Sequence, residues 1–123
     1  MTPFGAALRK MRDERNVNQA EMAQAIGVSP AYLSALEHGR RGQPSWELLQ
    51  RIIVYFNIIW DEAEELERLA NQSHPKVSID TSGMPPDATI LTNLLKREIR
   101  HLEQVEIQAI LDVLKTAASR RRS

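Results

Sequence analysis

Asn18 to Glu37, NQAEMAQAIGVSPAYLSALE, is a stretch that must fold back on itself within a few residues. It reads as two short helices, Gln19 to Ile26 and Ser29 to Glu37, with Gly27 between them. Glycine enters the left-handed region without steric cost, so it ends one helix and redirects the chain toward the next. Ser29 then serves as an N-cap. Pro30 suits the first helical position, where its missing N–H would have been unpaired anyway. Met22, Ile26, Val28, Leu33 and Leu36 face a common core at helical spacing, and Ala23 is small enough to let the helices cross closely.

Periodicity of this kind suits any helical hairpin in a small bundle, but the residue choices are narrower. Asn18-Gln19, Gly27-Val28-Ser29, Tyr32-Leu33-Ser34 and Leu36-Glu37-His38-Gly39 stand in the order and spacing of the Cro/C1-type (XRE family) helix-turn-helix proteins, and the segment resembles their DNA-reading motif. The resemblance runs from about Phe4 to Leu69. It implies an all-α, lambda-repressor-like five-helix DNA-binding domain and a sequence-specific transcriptional regulator whose partner is double-stranded DNA. The base-facing positions of the family fall on Ser29, Pro30, Ala31, Ser34 and Ala35. Its backbone-contact region falls on Tyr32 and the loop residues His38, Arg40 and Arg41. The family's arginine and glutamate ion pair maps onto Arg12 and Glu37.

The reading helix departs from the glutamine-rich or lysine-rich helices of the phage members. Pro30, Ala31 and Ala35 offer contacts to thymine methyls or to shape, which leaves the serines as short polar readers. Specificity then leans on the loop arginines and on DNA deformability. Gln19 stands at a helix N-terminus, where its amide and the free backbone N–H groups can hold a phosphate.

A chain of 123 residues, 42% hydrophobic, buries one modest core with a small element beside it. The absence of cysteine excludes disulfides, thiolate metal sites and thiol nucleophiles, and suits a reducing compartment. No apolar run approaches membrane length, and the N-terminus is amphipathic and charged rather than a signal sequence, so a cytoplasmic location is expected. Net charge is zero but unevenly spread: +2 from Met1 to Phe56, −5 from Asn57 to Asp87 and +3 from Ala88 to Ser123. Attraction to phosphate in general is therefore modest, and useful affinity requires paired sites.

No catalytic constellation emerges. His38, His74 and His101 lack the paired spacing of a metal site, and the acidic run from Asp61 to Glu67 points around its helix in different directions. No enzyme activity, metal or cofactor is expected.

Along the chain, Phe4, Leu8 and Met11 mark a first amphipathic helix from Phe4 to Arg15. A basic loop after Glu37 leads to Ser45, a cap for a helix striped by Leu48, Leu49, Ile52, Ile53 and Phe56, with Asn57 ending it. A fifth helix begins near Trp60. The expected division is a DNA-binding domain over 1–71, a linker over 72–86 rich in Ser, Pro and Thr, and a C-terminal helical segment over 87–123 capped by Asp87. Apolar residues of that segment do not keep a clean heptad, because Glu106 falls where Leu95, Ile99 and Leu102 would continue. Two helices broken near His101 to Glu103 are expected, with Arg120 to Arg122 as a solvated tail. Such a segment serves homodimerisation. Two functions fit: a dimeric repressor on a two-fold symmetric operator, or an antiactivator or antitoxin that keeps the helix-turn-helix fold and acts by binding a protein partner.

Overall fold

The computed structural model describes residues 1–122, which form α-helices and one short 3-10 turn. Two compact units result, Met1–Val77 and Ser78–Ser123.

In the first unit the helices are α1 (Pro3–Glu14), α2 (Gln19–Ile26), α3 (Pro30–Glu37), α4 (Trp46–Phe56) and α5 (Trp60–Asn71). Four of them start on a side-chain cap that satisfies an orphan N–H of the first turn. Thr2 Oγ1 accepts from Gly5 N–H at 3.0 Å, Ser29 Oγ from Tyr32 N–H at 3.0 Å and Ser45 Oγ from Leu48 N–H at 3.2 Å. Asn18 makes a reciprocal box, accepting from Glu21 N–H at 2.8 Å while its own N–H donates to the Glu21 carboxylate at 3.4 Å. α5 has no such cap and relies on Asp61 and Glu62 in its first turn. On its outer face Glu65 accepts from Arg68, and that hydrogen bond holds the Glu65 carboxyl below its usual range.

The core gathers Phe4 and Leu8 from α1, Met22, Ala23 and Ile26 from α2, and Leu33 and Leu36 from α3. Leu48, Leu49, Ile52 and Phe56 from α4 complete it with Ile58, Leu66 and Ala70. Val28 is half-buried at its edge, and Trp46 and Trp60 are exposed. α1 crosses the end of α3 so closely that a Cβ on Gly5 would lie 2.1 Å from the Glu37 carbonyl oxygen. Thr2 N–H donates to the same oxygen at 3.0 Å, so the residue that caps α1 is fastened to the end of α3.

The stretch after α5 is tied down where composition reads it as linker. Ser73 is buried and its Oγ accepts from Phe4 N–H at 2.9 Å, while Pro75 lies beside Gly39. Loss of helical periodicity marks where α5 ends. It carries no information about a single serine reaching back to α1.

The second unit holds α6 (Pro86–Glu98), the 3-10 turn Ile99–His101 and α7 (Gln104–Arg122). α6 starts with Pro86 at its first position, whose fixed φ is already helical, so Asp87 sits inside the first turn and not at the cap. Leu102 is extended, with φ −73° and ψ 139°, and Glu106 accepts from Glu103 N–H at 2.8 Å to restart the helix. None of the residues of α6 and α7 is buried.

Candidate nucleic-acid interface

Gly27 adopts φ +79° and ψ 33° between α2 and α3, and Val28 N–H returns to Ala23 O at 2.9 Å. The turn thereby fixes the crossing of the two helices. Leu33 and Leu36 anchor α3 in the core. Of the residues assigned to base reading, Ser29, Pro30 and Ala31 are exposed at the helix start, whereas Ser34 and Ala35 are half-buried farther along. The exposed end is also the N-terminal end, where the helix dipole is positive.

Arg12, Gln19 and Glu37 are brought together behind that face. Arg12 is buried and its guanidinium grips Glu37 with both terminal nitrogens, Nη1 on Oε2 and Nη2 on Oε1, the latter at 3.1 Å. Gln19 Nε2 donates to Glu37 Oε1 at 3.1 Å as well. One carboxylate therefore joins α1, α2 and α3 through charge-assisted hydrogen bonds, and among the described residues no buried side-chain N or O lacks a partner. Gln19's amide is thus engaged within the protein. A phosphate at the start of α2 would meet the backbone N–H groups of its first turn.

The loop after α3 carries the remaining polar candidates. Arg40 N–H donates to Ala35 O at 2.9 Å, which holds the loop against the helix end. Arg40 and Arg41 project into solvent, the Arg41 guanidinium lying 5.8 Å from the centre of the half-buried Tyr32 ring. His38 turns back, Nδ1 donating to Ser34 O at 2.8 Å.

Arg51 belongs with this group and escapes a reading from the sequence. From α4 its Nη1 donates to Ile26 O at 2.8 Å, closing the end of α2 beside Gly27, and it shares a hollow at the start of α3 with Ser29, Tyr32 and Ser45. Its one signal is isolation: it is the only cation between Arg41 and Arg68.

Charge follows the geometry. Glu37 is the only acid between Met22 and Trp46, and it is buried and ion-paired, so the exposed formal charge of that strip is wholly cationic on a chain of zero net charge.

Comparisons with known proteins place the first unit in a family. A family model described as a helix-turn-helix domain matches residues 3–69, the stretch from α1 to α5. The chain belongs to the Cro-like helix-turn-helix family. It is similar to the HTH-type transcriptional regulator DdrOP3 of Deinococcus deserti, 30% identical over 102 residues, which is 82% of this chain and 78% of that protein. That match is long enough to reach into the second unit. The ImmF control region 10 kDa protein of Bacillus phage phi105 is 43% identical over 55 residues, 45% of this chain and 60% of the phage protein. The HTH-type transcriptional repressor RghR of Bacillus subtilis is 36% identical over 52 residues, 42% of this chain and 38% of its own length. The chain thus spans less than two thirds of the phage protein and of RghR. No solved structure matches it significantly. Among the described residues no cluster of His, Cys, Asp or Glu could hold a metal, and no helix is long and apolar enough to cross a membrane.

Proposed function

We propose that this protein is a dimeric, cytoplasmic repressor of the Cro/C1 type that places α3 in the major groove of a two-fold symmetric operator. The observation that carries the reading is the strip from Ser29 to Arg41, with an exposed helix start, two solvent-facing arginines and its single acid neutralised inside the fold. Ser29, Pro30, Ala31, Ser34 and Ala35 face the bases, the exposed three closest. The first turn of α2 at Gln19, with Tyr32, His38, Arg40 and Arg41, positions the backbone. Arg12 and Glu37 act as a brace that fixes α3 on α1 and touch no DNA. Few bidentate readers mean weak half-sites, so affinity comes from pairing two heads about 34 Å apart, one turn of DNA, through the segment 87–123. On this reading it acts by covering a promoter.

Selection of bound genomic fragments followed by a salt series tests the reading. The expected result is a palindromic site whose log affinity falls linearly with log salt, with Arg40→Ala and Arg41→Ala each flattening the slope by about one ion. A salt-independent interaction with another protein and no retained duplex would instead favour the antiactivator or antitoxin role, for which the exposed apolar residues of α6 and α7 provide a surface.

A further inference from the structure

We propose that α7 pairs antiparallel with α7 of a second copy of this chain, the two-fold axis passing beside Asp112 and Val113. This pairing rests on the tail-mediated dimer proposed above and specifies which helix pairs and in which direction.

Ile107, Ile110, Leu111, Leu114, Ala117 and Ala118 recur at three- and four-residue steps and form one uncharged stripe along α7. No residue of the helix is buried, and Ile110, Leu111 and Leu114 are 38%, 39% and 57% exposed. The stripe is uneven in size. Isoleucines and a leucine fill its first half and alanines its last turn, so a parallel copy would set alanine against alanine and leave a gap. Reversing one copy sets Ala118 against Ile107 and Leu114 against Leu111 along the whole contact.

Charge selects the same direction. Glu103 and Glu106 lie at the start of α7 and Arg120, Arg121 and Arg122 at its end. Glu106 and Arg120 stand on the same flank of the stripe, and in an antiparallel pair equal flanks face each other, so each Glu106 meets the Arg120 of the other copy. A parallel pair would stack the arginine runs. Opposed helix dipoles add to the preference.

The chain has no cysteine, so single introduced thiols report the register directly. Ile107→Cys and Ala118→Cys are made separately in the full chain, then oxidised alone and as a mixture, with the reduced proteins followed by sedimentation. Antiparallel pairing gives a covalent dimer chiefly in the mixture. Within either variant alone the like thiols lie about 16 Å apart along the helix. That is far beyond the Cβ separation of about 4 Å that a disulfide allows. Covalent dimers that form as readily within one variant alone, or that form neither alone nor in the mixture, overturn the antiparallel α7 pairing and leave the tail dimer standing. Monomeric full-length chain overturns both. As a second arm, Glu106→Arg and Arg120→Glu each weaken self-association about threefold and together restore it; failure of the double variant to recover contradicts the pairing.

Discussion

The two units spend their apolar residues in opposite ways. In the first, every helix contributes to one core, and Phe4, Leu8, Met22, Leu33 and Ile52 are almost fully shielded from water. In the second, Ile90, Leu91, Leu94, Ile99, Val105, Leu111 and Leu114 are all exposed and no helix residue is buried. Full burial of a Leu or Ile side chain contributes about 2 kcal/mol, so the head gains from its own chain what the tail leaves unrealised. An amphipathic helix forms stably only when its apolar face has something to cover it. A helical pattern in the sequence therefore predicts a helix without saying whose residues will pack on it. The head's partners are its own, and those proposed for the tail belong to another copy.

Substitutions in the two units should therefore report through different measurements. The largest expected effect is Gly5→Ala, because the new Cβ would fall 2.1 Å from the backbone oxygen of Glu37, and backbone cannot swing aside as a flexible side chain can. Overpacking at this crossing should lower head stability by about 3 kcal/mol or more, read as a loss of the thermal transition. Arg12→Ala strands the buried Glu37 carboxylate and should cost about 3 kcal/mol, against under about 1 kcal/mol for the exposed Arg9→Ala. Equal melting of those two variants would sink the brace. Gly27→Ala forces a side chain into the left-handed region at φ +79° and sets its Cβ 3.1 Å from Arg51 Nη1, a penalty of about 1 kcal/mol seen as a modest drop in melting temperature. Smallest for the head is Leu114→Ala: it should leave the head's melting unchanged and weaken self-association, and a clear loss of head stability would erase the contrast between the units.

Most of the head is legible in the sequence because its signals are local. Asn18, Ser29 and Ser45 cap helices through their own neighbours, and Gly27 and Asn57 turn them through their own φ angles, so spacing alone places these elements. Long-range ties are harder to read. Ser73 reaching Phe4, Arg51 reaching Ile26 and the close crossing at Gly5 join residues whose sequence context gives no hint of the partner. Gln19 shows a subtler limit, since an amide at a helix start suits a phosphate or a neighbouring carboxylate equally, and the fold supplies Glu37. At the start of α6 two local signals compete, Asp87 as a cap and Pro86 as a first residue, and the proline prevails. The interruption between α6 and α7 is visible because Glu106 breaks the apolar pattern, and the restart it supports, on Glu103 N–H, is local.

Equilibrium sedimentation of the full chain beside a chain ending at Pro86, both at micromolar concentration, bears on the proposal that the head folds alone and the tail joins copies. A dimer is expected for the full chain and a folded monomer for the shortened one, with most operator affinity lost alongside the tail. A monomeric full chain, or a shortened chain that dimerises equally well, would contradict this division and move the interface to the head, where Ile59 and Trp60 are exposed.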